Sequence, residues 1–130
     1  MASIIKVETL QDTDGNNAVG MQYVANGTGK HWCNWNQGGT ISIYDSFNNS
    51  SIVDNTSGYT TIGFSNNFAN VNYVYTGGAN QSGYSSPIFG MNSRSNKTTS
   101  QTQVRTLATA NNNAAVDPDD VGMDTVGDLA

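Results

Sequence analysis

Residues 30–64, KHWCNWNQGGTISIYDSFNNSSIVDNTSGYTTIGF, decide the fold class. Short runs alternate apolar with polar side chains, and each run stops at Gly, Asn or Ser. KHWCNWNQ ends at Gly38 and Gly39, TISIYDSF at Asn48 and Asn49, IVDN at Ser57 and Gly58, and YTTIGF at Asn66 and Asn67. A period of two marks strands buried on one face, and turn residues at this short spacing mark antiparallel neighbours. The pattern continues through FANVNYVYT, a GGANQSG turn and YSSPIFGM. It predicts an all-β chain folded as a small antiparallel β-sandwich or barrel. Alternation puts Ile41 and Ile43 on one face with Phe47 beyond them, Ile62 with Phe64, and Val71 with Tyr73 and Tyr75; these form the expected core. Pro87, which has no amide hydrogen for a ladder, is expected at a strand start, an edge or a bulge.

Outward from this region the composition changes. SIIKVETL (Ser3 to Leu10) is rich in β-branched residues, the Asp14-Gly15 pair is a turn signal, and VGMQYVA (Val19 to Ala25) reads as a second short strand. Such a hairpin is marginal alone, so residues 1–28 are expected to be a docking arm. SRSNKTTSQTQVRTLATA (Ser93 to Ala110) reads as a last strand of alternating Thr and Val, and it holds Arg94, Lys97 and Arg105, three of the five basic residues. Residues 111–130, NNNAAVDPDDVGMDTVGDLA, hold five of the ten acidic residues and no basic one. The expected division is therefore an arm (1–28), a β-sandwich (29–110) and an extended acidic C-terminal tail (111–130). The tail is expected to pair with the basic segment of its own or a neighbouring subunit.

A chain of 130 residues is sized for one domain. Its net charge of −5 argues against a surface that tracks phosphates, so nucleic acid is not an expected partner. With one Cys and one His, neither an intramolecular disulfide nor a Cys/His zinc site has enough ligands. No apolar run approaches the roughly 20 residues of a membrane-spanning helix, so no membrane insertion is expected. MASIIKVETLQD lacks the charged and apolar regions of a signal peptide. The Asn-X-Ser/Thr sequons follow from the abundance of those residues and carry no weight.

The cluster of Trp32, Trp35, His31 and Cys33 invites a chemical reading. His31 is the only ordinary base in the chain, and a strand puts it on the same face as Cys33. No second histidine or Gly-x-Ser-x-Gly elbow supports a nucleophile, so a structural Cys33 and a surface or interface His31 are expected. Asp12, Asp14 and Asn16 begin like a calcium loop, but Gly15 comes early and the twelfth position is Tyr23. Asp117, Asp119 and Asp120 are expected to be solvated. Asp45 and Asp54, the only acids between Gly29 and Met91, read as turn or strand-end residues rather than a glycosidase pair. The chain is thus expected to be no enzyme, with no catalytic residue, metal or cofactor. What the residues favour is recognition: Tyr and Trp faces with Asn, Ser and Thr loops suit a carbohydrate surface or a wet subunit interface equally. Alternation sends Trp32 to one face with Lys30, Asn34 and Asn36, and Trp35 to the other with His31 and Cys33. Trp32 and Tyr84, the latter in the GGANQSGYSS loop, are the candidates for receptor or subunit contact.

The stretch Lys30 to Tyr75 resembles a module of tail-fibre and other virion appendages of bacteriophages, particularly marine ones. Its matching features are Trp32, Asn34-Trp35-Asn36, Gly38-Gly39, the alternating Ile41 to Tyr44, Ser46-Phe47-Asn48, Ser50-Ser51-Ile52, Asp54-Asn55, Gly58 and Tyr59-Thr60. MASIIKVETLQD is similar to the start of many such proteins. His31 stands where the module has a small residue, Cys33 where it has an aliphatic one and Trp35 where Phe is common, which speaks against a catalytic His31. FSNNFANVNYVYTGGA is more weakly similar to phage-fibre C-terminal domains with an H-type-lectin-like fold, which are compact β-sandwiches assembled as homotrimers. That similarity implies that Phe64, Phe68 and Tyr73 belong to the core.

The resemblance implies a non-enzymatic virion structural protein, a short homotrimeric tail fibre or fibre-like appendage contributing to host attachment. Its expected partners are further copies of itself, other virion proteins reached through the arm and tail, and a host-surface glycan; its expected location is the virion. The alternatives are a head-decoration or adaptor subunit with a purely structural role, and a free-standing carbohydrate-binding module.

Overall fold

A computed structural model describes residues 4–16, 18–82, 87–91, 94–109 and 112–130. Strands dominate it. β1 (Thr9–Leu10) pairs with β2 (Val19–Gly20), and α1 (Met21–Gly27) follows at once. Next come β3 (Gly29–Asn36), β4 (Ser42–Phe47), β5 (Asn49–Thr56), β6 (Tyr59–Phe64) and β7 (Val74–Asn80). β8 (Pro87–Met91), β9 (Gln101–Ala108), β10 (Ala114–Ala115) and β11 (Asp120–Val126) complete the chain. One sheet has the order β4-β3-β11-β7; the other has β5-β6-β9, with β8 on the far edge of β9 and β10 continuing along the β6 side. Every ladder is antiparallel.

The two sheets enclose one core. From the first come Cys33, Trp35, Val121 and Met123, and from the second Ile62, Phe64 and Val104, with Phe68 and Tyr73 closing one end. Phe68 stacks on Tyr73 with centroids 4.4 Å apart, and Phe64 meets both edge-on. Thr60, Thr102, Thr106 and Thr125 are also buried. Their β-branched shape suits a packed strand as valine does, so the Thr-rich β9 serves as a core strand. Ile41 and Ile52 pack against the cluster from its margin.

Two expected core residues of β4 lie elsewhere. Ile43 is 38% exposed and Phe47 54% exposed. The register between β3 and β4 shifts at Tyr44: Ile43 faces the inward Trp35, yet Asp45 faces the outward Asn34 and Phe47 the outward Trp32. A bulge adds one residue to a strand, and one residue reverses every side chain beyond it. Phe47 is therefore turned to the outer face, while Ile43 faces inward on β4, the edge strand of its sheet among the described residues.

The expected C-terminal tail is a second correction. β11 lies between β3 and β7 in the middle of its sheet, pairing with both along its length. Val121, Met123 and Thr125 point into the core while Asp120 and Asp124 remain exposed. The period of two was present in DVGMDTV, but acidic composition masked it. Val19 to Ala25, expected as a strand, becomes helix after Gly20, since Met, Gln and Ala favour helix and β1 offers only two partners. FANVNY forms no strand apart from the bridge of Phe68 to Leu129, and Val71 is exposed in a turn. The expected GGANQSG turn begins inside β7 instead: a Cβ on Gly77 would lie 2.5 Å from the Gly122 carbonyl and 2.6 Å from the Phe89 ring, so glycine admits a close approach there. β8 does start at Pro87.

Two corners hold the sheets in relation. Asn48 alone separates β4 from β5, so the chain passes from one sheet to the other through a single residue at φ 57°. Its side chain donates to the carbonyls of Lys30 (2.9 Å) and Asn66 (3.2 Å) and accepts from the Asn66 amide (2.7 Å). At the opposite end Gly58 turns at φ 75°, and a Cβ there would lie 2.6 Å from the Thr106 carbonyl. Its amide donates to Asp117 Oδ1 at 2.6 Å, while the amides of Gln37 and Gly38 donate to the Pro118 carbonyl. Asp117 is thus a structural acceptor and not simply a solvated charge.

Candidate functional site

The first question is whether His31 and Cys33 form a reactive pair. Strand β3 carries both to the inner face, where both are buried. His31 therefore lies neither at the surface nor at an exposed interface. Its Nε2 donates to Asn49 Oδ1 at 3.2 Å, its Nδ1 sits 3.4 Å from the Thr125 hydroxyl, and its ring meets Phe64 edge-on at 4.9 Å. Burial lowers its pKa from the ordinary 6.5, outweighing the opposite pulls of Asn49 and of the Asp124 charge. Burial likewise pushes the Cys33 thiol up to about 11, so it stays protonated and a poor nucleophile. The arrangement packs and orients; it presents no thiolate to solvent.

The outward half of β3 builds a different surface. Trp32 is 39% exposed and stands directly opposite Phe47, forming a two-ring shelf on the outer face of the β4-β3-β11-β7 sheet. In the next row Asn34 lies between Asp45 and Gly122, and Gly122 is opposite Gly78. Two facing glycines leave a trough of about 300 Å³ in the sheet surface, walled by Asn34, Asn80 and Asp120. The Asn34 amide donates to Asp120 Oδ1 at 2.8 Å, fixing that wall. The Tyr44 bulge lets its hydroxyl reach over β3 to the Asp119 carbonyl at 2.9 Å. Aromatic faces, amides and carboxylates on a rigid sheet can stack on and hydrogen-bond to a polyhydroxylated or peptide surface.

A second concavity lies where the sheets part between β7 and β8. It encloses about 390 Å³ and is walled by Tyr73, Tyr75, Phe89 and Lys97, with Gly77 and Gly90 leaving it open. Lys97 follows a short 3-10 turn (Arg94–Asn96) and sets its ammonium 4.1 Å from the Tyr73 ring centroid and 6.0 Å from that of Tyr75. The same ammonium donates to the Tyr73 carbonyl. Tyr73 is itself pinned, its hydroxyl shared between the carbonyls of Thr98 and Gln101 at 2.9 and 3.0 Å. Burial pushes its pKa up to about 12 and raises that of Tyr75. Both rings therefore stay neutral, with their π faces available to the cation.

Of the residues singled out from sequence, Trp32 lies on the outer shelf and Tyr84 falls outside the described residues. Ile62, Phe64, Phe68 and Tyr73 are buried, and Ile41 lies at the core margin. The sequence reading did not find the cleft. Lys97 and Phe89 belong to different segments, and the one available signal was a lysine in a run of Asn, Ser and Thr. Among the described residues no group of three or more His, Cys, Asp or Glu is placed to hold a metal, and no helix is long and apolar enough to cross a membrane. Comparison with family models, curated proteins and solved structures finds no match for the chain.

Proposed function

We propose that the chain is a non-enzymatic virion structural protein, a short homotrimeric tail fibre or fibre-like appendage of a bacteriophage that contributes to host attachment. In this reading the two sheets are an H-type-lectin-like sandwich, and residues 1–28 are the arm that meets neighbouring copies and other virion proteins. The single observation that carries it is the N-terminal segment. Ile4 and Ile5 are 77% and 86% exposed, Val7, Leu10 and Tyr23 are exposed as well, and α1 has no buried residue. A seven-residue helix and a two-residue ladder without a fully buried residue do not sustain themselves in water. Apolar side chains left on such a segment suit burial against a partner, and the exposed shelf of Trp32 and Phe47 close to the root of the segment is a surface of matching character.

The reading is tested by light scattering of the purified chain, where a mass three times 13.8 kDa is expected. Ile4→Asp with Ile5→Asp should reduce it to one while the β circular dichroism spectrum is unchanged. A monomeric wild-type chain, or labelling of purified particles on the capsid and not the tail, would sink the appendage reading.

A further inference from the structure

We infer that residues 4–7 of one copy add as a further strand to the outer edge of β5 in a neighbouring copy, with Lys6 set against Asp54. The inference rests on the proposed self-assembly through the arm and names the surface that the arm meets.

The two sheets leave a seam open on the side where their edge strands, β4 and β5, meet at Asn48. Ile43 on β4 lies opposite the buried Trp35, and Ile52 on β5 lies opposite the buried Ile62, so both face inward. Ile43 is nevertheless exposed and Ile52 half-buried, since no further strand pairs with either edge among the described residues. Val53, on the outer side of β5, is 47% exposed.

An edge strand presents a row of unpaired amides and carbonyls to which an extended segment can bond. Of the two edges at the seam, β5 is the one fit to receive it. β4 carries the bulge at Tyr44, and the Asp45 carboxylate takes up the Ser46 amide at 2.8 Å; both features blunt an edge. β5 keeps an unbroken register with β6 from Ser51 to Asp54, so its far side offers a regular row of groups.

The arm supplies a matching strand. Ile4, Ile5 and Val7 are β-branched, all of residues 4–7 are exposed, and none of them belongs to a helix or strand of its own copy. Alternation puts Ile4 and Lys6 on one side and Ile5 and Val7 on the other. Charge selects which side faces the seam. Residues 42–56, which span both edges, hold Asp45 and Asp54 and no basic residue, and Lys6 is the one charge in residues 4–7. Asp54 lies opposite the buried Thr60, on the Ile52 side of β5. Lys6 against Asp54 therefore brings Ile4 to the seam with Ile52 and Ile43, and Ile5 and Val7 to the outer side with Val53. The shelf of Trp32 and Phe47 is a sheet face, which takes side chains but pairs no backbone.

The test is amide hydrogen exchange on the full chain, with light scattering of the same samples. In the assembled wild type, protection is expected at residues 5–7 and at those amides of Ser51 to Asp54 that do not bond β6. Ile4→Asp with Ile5→Asp should speed exchange of the β5 set by about ten-fold or more and leave the β6 amides unchanged. Lys6→Asp and Asp54→Lys should each weaken self-association about five-fold, and the two on one chain should restore it. Should a variant fail to fold, exchange on the wild type decides alone. A multimer whose outward β5 amides exchange freely, or whose association ignores both charge reversals, overturns the inference and leaves self-assembly standing. Protection of both sets in a chain that scatters as a monomer would put the strand on its own copy and overturn it as well. A monomer with neither set protected removes self-assembly and the inference together.

Discussion

His31 illustrates how a residue type misleads until its surroundings are known. A lone histidine beside a cysteine reads as chemistry, yet its ring fills the space between Phe64, Asn49 and Thr125. The neutral imidazole fits those partners, donating from Nε2 to Asn49 and leaving Nδ1 for the Thr125 hydroxyl. A folded-state pKa below 6.5 means that the unfolded chain takes up the proton first. Stability is therefore at its full value above pH 6.5 and declines as the pH falls from there toward the lowered value, by at most about 1.4 kcal/mol per pH unit. Thermal melts from pH 7.5 to pH 5 should show this decline, and His31→Gln should flatten it. An unchanged slope in the variant would assign the titration to another group.

Single elements depend on residues that do more than continue a strand. Asn48 turns β4 into β5 within one residue because asparagine tolerates the left-handed region and its amide spans Lys30 and Asn66. Asn48→Ala loses both the hydrogen bonds and the conformational tolerance, for about 2–4 kcal/mol, whereas Asn48→Gly keeps the tolerance and should lose about 1–3 kcal/mol. Urea unfolding should rank wild type above Gly and Gly above Ala; an Ala variant as stable as the Gly one would contradict the corner's conformational role. The bulge at Tyr44 is the other such device. It alone turns Phe47 from the expected core to the outer shelf beside Trp32. Nothing in TISIYDSF marks it, because a bulge is defined by the strand opposite and not by its own sequence.

For the whole molecule the decisive strand is β11. It joins β3 to β7, so its loss would divide the sheet into a two-stranded piece and a lone strand. Val121→Asp places a charge at a fully buried position and should abolish cooperative unfolding, while Asp124→Asn on the exposed face of the same strand should change stability by less than about 0.5 kcal/mol. Amide proton dispersion in NMR spectra would distinguish them. A folded Val121→Asp chain would restore the view of residues 111–130 as an extended acidic tail outside the sandwich.

How much was legible from the sequence follows from the range of the forces involved. Alternation between neighbouring residues is local, so the all-β class, the inward placement of Ile62 and Phe64, and the separation of Trp32 from Trp35 are written in the order of side chains along each strand. Strand partnership is not local. Trp35 pairs with Val121 and Lys97 meets Tyr73 only when distant segments are brought together. The tertiary structure alone therefore decided that acidic residues flank a central strand, that a bulge turns Phe47 outward, and that a cationic aromatic cleft opens between β7 and β8. In each case the determining contact lies across the sheet or between the sheets, where no pattern along the chain records it.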